Sequence, residues 1–410
     1  MDFTGITEDT ICALATPPGM GAIAVVRVSG KNAFPYVEKV FSKKISDLPS
    51  HTAHLGKIKD GDRIVDEVLV TLFKNPKSFT GEDVVEIACH GSTYIQKEML
   101  RLLFAAGCRL ARPGEFTLRG YYNGKMDLSQ AEAIGDLIHS TSETSHALAM
   151  DQMRGGFSNK IEDLRQQLIN FASLIELELD FSEEDVEFAD RTELRNLVET
   201  IQQTVQHLIN SFDMGNAVKT GIPVAICGAP NAGKSTLLNA LLEDSRAIVS
   251  DIAGTTRDTV EDEVVWDGVS FRLVDTAGIR ETEDHIESIG ISKALAKASE
   301  SKAVLWVVDG TKRSLEDISA ELEKLKSDVS MLPEQFIVLG NKKDQNNYQL
   351  PTNYQEFEDF VLYPISAKQD EGIVEIKERL VNWVKDGELA QHDVVVTNAR
   401  HYNELSETQV

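Results

Sequence analysis

Gly228-Ala229-Pro230-Asn231-Ala232-Gly233-Lys234-Ser235 stands directly after the apolar run 223–227 and directly before the helical pattern 236–242. The spacing is GxxxxGK[ST], and the glycines let successive backbone N–H groups close around phosphate oxygens. Lys234 reaches the β- and γ-phosphates, Ser235 offers a hydroxyl to Mg2+, and the helix beginning near Thr236 adds its N-terminal dipole. Such a loop works only between a buried strand and a helix, which commits this part of the chain to a βαβ succession around a parallel sheet.

Three further segments follow in the order that a guanine nucleotide requires. Asp275-Thr276-Ala277-Gly278 ends a strand, placing a carboxylate to hold Mg2+ through water and a glycine N–H near the γ-phosphate. Asn341-Lys342-Lys343-Asp344 follows another strand. An ionised Asp344 only accepts hydrogen bonds, so it matches the N1–H and N2–H2 donors of guanine, whereas adenine presents an acceptor at N1. GTP is therefore expected over ATP. Ser366-Ala367-Lys368 after the last strand completes the base pocket. Between the first two motifs, Ser250-Asp251-Ile252-Ala253 leads into Gly254-Thr255-Thr256, where a hydroxyl must complete Mg2+ coordination. Thr256 is the first choice and Thr255 the alternative. Ile279 follows Gly278 where a Ras-like enzyme has its water-orienting glutamine. An apolar side chain cannot orient water, so hydrolysis is either poor or served by a downstream carboxylate: Glu281, Glu283, Asp284 or Glu287.

The 410 residues allow two to four domains. Lys and Arg number 41 against 66 Asp and Glu, a net charge of −25, so any contact with nucleic acid has to be local. Cys12, Cys89, Cys108 and Cys227 are far apart, with no CxxC pair, which disfavours disulfide and zinc frameworks. No Lys or Arg precedes Arg27, so a leader would lack its positive region, and the longest apolar runs, such as 303–308, fall far short of a bilayer span of roughly 20 residues. A cytoplasmic protein without membrane contact is expected.

Residues 1–125 mix short alternating stretches with Gly and Pro punctuation and read as an α+β domain. Helical periodicity takes over in 126–216, with Ile161, Leu164, Leu168, Phe171 and Ile175 on one face and Leu194, Val198, Ile201, Val205 and Leu208 on another. Asp190 with Glu193 resembles a capping box for the second helix, and Gly215 is its expected stop. The stretch 176–193 between them holds nine carboxylates and one Arg, the composition of a solvated connector. Residues 217–385 alternate strands and helices, giving a doubly wound, mostly parallel sheet, and 386–410 begin a further helical stretch. The fold class is thus multidomain α/β: an α+β N-terminal domain, a helical domain, and an inserted P-loop domain.

With these motifs stand Thr16-Pro17-Pro18-Gly19, Arg27-Val28-Ser29-Gly30, Phe79-Thr80-Gly81-Glu82-Asp83, Pro113-Gly114-Glu115-Phe116-Thr117, Asn123-Gly124-Lys125-Met126-Asp127-Leu128, Gln130-Ala131-Glu132-Ala133 and Asn398-Ala399-Arg400-His401. Together they resemble the MnmE (TrmE) family of tRNA-modification GTPases over the whole chain. The resemblance implies a tetrahydrofolate-binding N-terminal domain that also forms the homodimer, and a helical domain interrupted by the G domain. It further implies a flavoprotein partner, MnmG, in a heterotetramer that modifies C5 of the wobble uridine at position 34 of certain tRNAs by carboxymethylaminomethyl addition. By motif position it assigns Arg27, Glu86 and Lys125 to 5-formyltetrahydrofolate. It also assigns Asn231, Ser250, Ile252 and Thr255 to K+, in the place where an arginine finger would put charge, and Glu287 to the water. The segment 101–125, with five basic residues and one acid, offers a cationic face to a polyglutamated folate, to RNA or to solvent alone. Family members continue past the Asn-Ala-Arg-His segment and end in Cys-x-Gly-Lys, which this sequence lacks. On this reading it is a C-terminally shortened member, with apolar faces in 129–214 short of packing partners. Gly120 and Ser92 depart from the Ala and Gly expected there. A second reading keeps the dimeric, GTP-dependent switch and omits the modification chemistry.

Overall fold

The computed structural model describes residues 9–180, 191–243, 261–275, 300–326, 335–357, 360–386 and 394–408. The chain forms two compact units, 1–135 and 136–410. The first is built on a six-stranded sheet of β1 (Ile11–Leu14), β2 (Ile23–Ser29), β3 (Thr52–Asp60), β4 (Arg63–Phe73), β5 (Val84–His90) and β6 (Arg109–Leu110) in the order β3-β4-β5-β2-β1-β6. All neighbours are antiparallel except β1 and β6. Alternation sets the two faces. Val26 and Val28 of β2, Val70 and Leu72 of β4, and Val85 and Ile87 of β5 point inward and are buried. They pack against Ala33, Phe34 and Val37 of α1 (Ala33–Glu38) and Met99, Leu102 and Leu103 of α2 (Thr93–Ala106). Each such aliphatic side chain contributes roughly 1.5–3 kcal/mol of hydrophobic stabilisation. The intervening residues, Arg27 and Glu86 among them, face the other way. α3 (Glu115–Tyr122) and α4 (Leu128–His139) follow.

The second unit holds a seven-stranded sheet of β7 (Ile222–Gly228), β8 (Glu261–Trp266), β9 (Val269–Asp275), β10 (Ala303–Asp309), β11 (Phe336–Asn341), β12 (Gln355–Glu356) and β13 (Val361–Pro364). Its order is β12-β13-β11-β10-β7-β9-β8. The five middle strands are parallel, while the edge strands β8 and β12 pair antiparallel, so the sheet is mostly parallel, as the strand–helix alternation predicts. Both faces of the central strands are buried, which is why they read as unbroken apolar runs. Val224, Ile226, Leu305, Val307 and Leu339 join one core, and Ala225, Cys227, Val304, Trp306 and Val338 the other.

Long helices precede this sheet: α5 (Glu143–Met153), α6 (Gly156–Asp180) and α7 (Arg191–Thr220). Met214, Ala217 and Val218 at the end of α7 belong to the sheet's own core, so α7 is continuous in packing with the strand it feeds. Gly215 does not stop the helix as its sequence suggests; α7 runs five residues further. The reason is a close approach. A Cβ at 215 would collide with the carbonyl of Val396 and the side chain of Val395, so the glycine admits the returning chain. That chain leads into the helix Ala399–Glu407, capped by Asn398, whose side chain accepts from the Arg400 N–H at 2.8 Å. Phe212 stacks on Tyr402 and Phe157 on His401, and the Val396 N–H donates to Ser211 Oγ at 3.0 Å. The last described residues thus pack on the helices that come before the sheet. The Asp190 cap expected from sequence lies outside the described residues. All four cysteines are buried and outside any disulfide, and among the described residues no helix is long and apolar enough to cross a membrane.

Candidate nucleotide and ligand sites

In open α/β sheets ligands bind beyond the carboxyl ends of the strands, and the motifs of the second unit gather there. The loop 228–233 follows β7, Asp275 ends β9, Asn341 ends β11, and Ser366 lies two residues past β13. Ladder pairs align these ends: Gly228 with Val307, Ile226 with Asp275, and Asp309 with Asn341.

Two glycines of the loop are required by contact. Gly228, at φ +141°, has the Val307 carbonyl where a Cβ would stand. Gly233, at φ +105°, has the Asn341 amide there. Asn231 itself adopts φ +62°, a left-handed conformation that asparagine tolerates better than most residues. Lys234 opens α8 (Lys234–Glu243), and its ammonium donates to the carbonyls of Gly228 at 2.8 Å and Ala229 at 3.0 Å, across the mouth of the loop. Ser235 and Thr236 occupy the first turn of α8, where unpaired N–H groups favour an anion.

The base loop is fixed to the phosphate loop by side chains. Asn341, 4% exposed, donates from Nδ2 to the Ala232 carbonyl at 2.8 Å. Its Oδ1 accepts from the N–H groups of Lys342 at 2.8 Å and Ala367 at 3.0 Å. Ser366 donates to Asp344 Oδ1 at 2.7 Å, which fixes one oxygen of that carboxylate. Lys342 Nζ donates to the Asn231 carbonyl at 3.1 Å and to Asp309 Oδ2 at 2.7 Å. Of the nucleotide residues expected from sequence, Asn231, Ala232, Gly233, Lys234, Ser235, Thr236, Asn341, Lys342, Asp344, Ser366, Ala367 and Lys368 fall among the described residues, at this one edge. Ser250, Asp251, Ile252, Ala253, Gly254, Thr255, Thr256, Thr276, Ala277, Gly278 and Glu287 lie outside them, and Asp275 is described only as the backbone end of β9.

Sequence reasoning missed Asp309. It closes the apolar run of β10, is 9% exposed, and accepts from Thr311 Oγ1 at 2.6 Å and the Thr311 N–H at 3.1 Å. Burial raises its pKa, but the hydrogen bonds from Lys342 and Thr311 outweigh that and lower it, so the carboxylate is ionised at neutral pH. The available signal was a single acid at the carboxyl end of a fully apolar strand, followed by Gly310.

In the first unit, Arg27 and Glu86 are ladder partners on β2 and β5. Arg27 Nε donates to Glu86 Oε1 at 2.9 Å, and Nη2 lies 2.7 Å from the same oxygen. The guanidinium carbon stands 5.4 Å from the ring centres of both Phe79 and Phe116, so two aromatic rings flank it. Both rings stand in motifs quoted from the sequence, but neither was assigned to Arg27, because the rings meet only once α3 and the loop after β4 are placed. Lys125 is held against that loop, its ammonium donating to the Pro76 carbonyl at 3.0 Å. A buried guanidinium fixes the arrangement. Arg119, fully buried, donates to the Asp9 carbonyl at 2.8 Å, to both oxygens of Glu82 at 3.1 Å and to Glu115 Oε1 at 3.2 Å.

Comparison with known proteins adds three findings. Residues 10–125 match the model of the GTP-binding protein TrmE N-terminus, and residues 128–410 match that of the MnmE helical domain. The tRNA modification GTPase MnmE of Cytophaga hutchinsonii is 52% identical over 100% of this chain and 88% of its own length. The MnmE proteins of Flavobacterium johnsoniae and Bacteroides thetaiotaomicron are 53% and 48% identical, each over 98% of this chain and 87% and 88% of their own lengths.

Proposed function

The chain belongs to the MnmE family and is a GTPase, and from that premise we propose that it is a K+-dependent GTP hydrolase acting with an MnmG-type flavoprotein on C5 of the wobble uridine of certain tRNAs in the cytoplasm. The observation that carries the nucleotide part is the joined frame at the carboxyl edge, where Asn341 bonds the phosphate loop and Ser366 aims Asp344. A carboxylate held in that way accepts the two donors of guanine and leaves adenine unmatched. The donor set offered to cations is all oxygen, which suits hard ions. Ser235 and Thr256 would hold Mg2+, and Asn231, Ser250, Ile252 and Thr255 would hold K+; bound there, the cations supply positive charge opposite the phosphoryl oxygens. Lys234 adds its ammonium from the loop side. Glu287 accepts a proton-bearing contact from the attacking water and orients it, the task that Ile279 cannot perform.

Arg27, flanked by Phe79 and Phe116, and its ladder partner Glu86 have the chemistry for a one-carbon tetrahydrofolate such as 5-formyltetrahydrofolate. A planar ring stacks on the phenyl faces, the carboxylate accepts from ring donors, and Arg27 and Lys125 attract anionic groups. Homodimerisation through 1–125 is supported by the exposed cross-strand pair Leu55 and Leu69, 64% and 44% accessible, with Ile23 at 67%. In domain terms, a helical domain of 126–216 and 386–410 would carry the G domain of 217–385.

The test is GTP turnover in K+ against Na+ at matched ionic strength, with Asn231→Ala beside the unsubstituted chain. Faster turnover in K+ that Asn231→Ala removes is expected; equal rates refute the cation assignment. Asp344→Asn tests the base pocket: it should lose GDP and gain xanthosine diphosphate, whose 2-oxo group accepts from the new amide. Wobble-uridine modification in tRNA from a complemented null strain tests the remainder, and unmodified tRNA with normal turnover refutes it.

A further inference from the structure

Asp309 belongs to none of the four nucleotide motifs, yet its carboxylate touches one of them and, through Lys342, is linked to a second. Oδ1 is saturated by the Thr311 N–H and hydroxyl, which fixes the plane of the carboxylate and turns Oδ2 toward Lys342. The Lys342 ammonium is shared at 2.7 Å with Asp309 and at 3.1 Å with the Asn231 carbonyl, so the contact bridges β10, the base loop and the phosphate loop. Lys342 and Asn231 both hold left-handed backbone, φ +69° and +62°, strained for residues with a Cβ and maintained only where surrounding contacts define them. Lys312 also carries charge toward Asp309, at 3.9 Å, but with a 73% exposed side chain it contributes little.

We propose that Asp309 is a positioning residue for guanine-nucleotide binding: through the Lys342 ammonium it locks the base loop onto the carbonyl of Asn231, so that the base pocket and the phosphate loop are set before the nucleotide arrives. The inference rests on the guanine reading of Asn341-Lys342-Lys343-Asp344. Without the carboxylate, the Lys342 side chain regains its rotamers and the two loops are ordered at the expense of binding free energy. Asp309→Asn keeps the shape and the acceptor for Thr311 but turns an amide donor toward the ammonium.

The experiment is a double-mutant cycle on the full chain, reading the dissociation constant of a fluorescent GDP analogue. Asp309→Asn should weaken binding roughly tenfold, the loss of one hydrogen bond between charged groups. In a Lys342→Met background the same substitution should change affinity less than twofold, because its route to the nucleotide has been removed. A residue that merely supports the fold would act equally in both backgrounds, and that result, or no loss from Asp309→Asn, overturns the proposal. Thr311→Val leaves both charges in place and removes the hydroxyl bond to Oδ1, so that the backbone N–H alone holds the carboxylate plane. It should weaken binding several-fold in a chain whose tryptophan-detected melting is unchanged, and a melting shift without a loss of affinity overturns the proposal too. The Asp344→Asn exchange stands apart. If it fails, the guanine reading falls; if it succeeds while the cycle is additive, only the role of Asp309 falls.

Discussion

Arg119→Leu is the most demanding test of how the first unit is held together. The side chain is fully buried and bonds acceptors on three residues, but these do not lose equally when it is removed. Glu115 keeps both bonds from Arg109, at 2.6 and 3.1 Å, and one from the Arg112 N–H at 2.7 Å. Among the described residues, Glu82 is left with only the Ser29 hydroxyl, at 2.7 Å, for a carboxylate that is 12% exposed. Breaking a buried pair by deleting one partner costs roughly 3–5 kcal/mol, and the compensation at Glu115 places this case near the lower end, about 3 kcal/mol. For a unit of this size roughly 4 °C of melting temperature accompany each kcal/mol, so the transition should fall by about 12 °C. The two units can be told apart, because Trp266, Trp306 and Trp383 are the chain's tryptophans and all lie in the second, so fluorescence follows that unit alone while far-ultraviolet ellipticity follows both. The far-ultraviolet transition should move and the tryptophan-fluorescence transition should not. Equal shifts in both, or none in either, refute the network as the tie between α3 and the loop carrying Phe79.

The same network predicts acid sensitivity. Burial pushes the Glu115 carboxyl up, but the Arg109 guanidinium, the Arg112 N–H and Arg119 outweigh it and hold the pKa at about 2, against an ordinary 4.5. A folded pKa below the unfolded one stabilises above the unfolded value and is lost as pH falls through the folded value. About 3 kcal/mol present at neutral pH should therefore disappear between roughly pH 5 and pH 2. Glu115→Gln, scanned over that range by far-ultraviolet melting, should flatten the slope. Gly215→Ala gains roughly 1 kcal/mol of helix propensity but places a Cβ against the Val396 carbonyl, and overpacking of this kind costs about 1–3 kcal/mol. Faster hydrogen exchange in 399–407 is expected, and unchanged protection refutes the close approach. Leu69→Asp puts a charge beside Leu55 on the exposed pair and should shift the chain from dimer to monomer in analytical ultracentrifugation, with turnover per chain no longer rising with protein concentration. Gly233→Ala should weaken guanine nucleotides at least tenfold, because the added methyl displaces Asn341 and breaks its bond to Ala232; affinity within twofold of the unsubstituted chain refutes that contact.

What was legible in the sequence and what was not divide along the range of the interactions. Gly228, Gly233, Lys234 and Asp344 announce themselves because spacing along one strand–loop–helix unit fixes their chemistry, whatever the remaining chain does. The central strands are equally plain, since burial on both faces leaves runs such as 303–308 without a polar residue. Gly215 shows the opposite case. Its local signal is that of a helix stop, and the decisive contact comes from Val396, 181 positions away in the chain. The edge strands β8 and β12 escape for a related reason: their pairing is set by neighbours that a residue pattern does not name. Asp309 combines both lessons. Its position at a strand's carboxyl end is readable from residue order alone, but its meaning depends on Lys342 and Asn231, which lie 33 positions ahead and 78 behind and come together only when β7, β10 and β11 stand side by side. The motif that binds a nucleotide can thus be read from local spacing, whereas the groups that hold the motif still are found among residues that share an edge of the sheet.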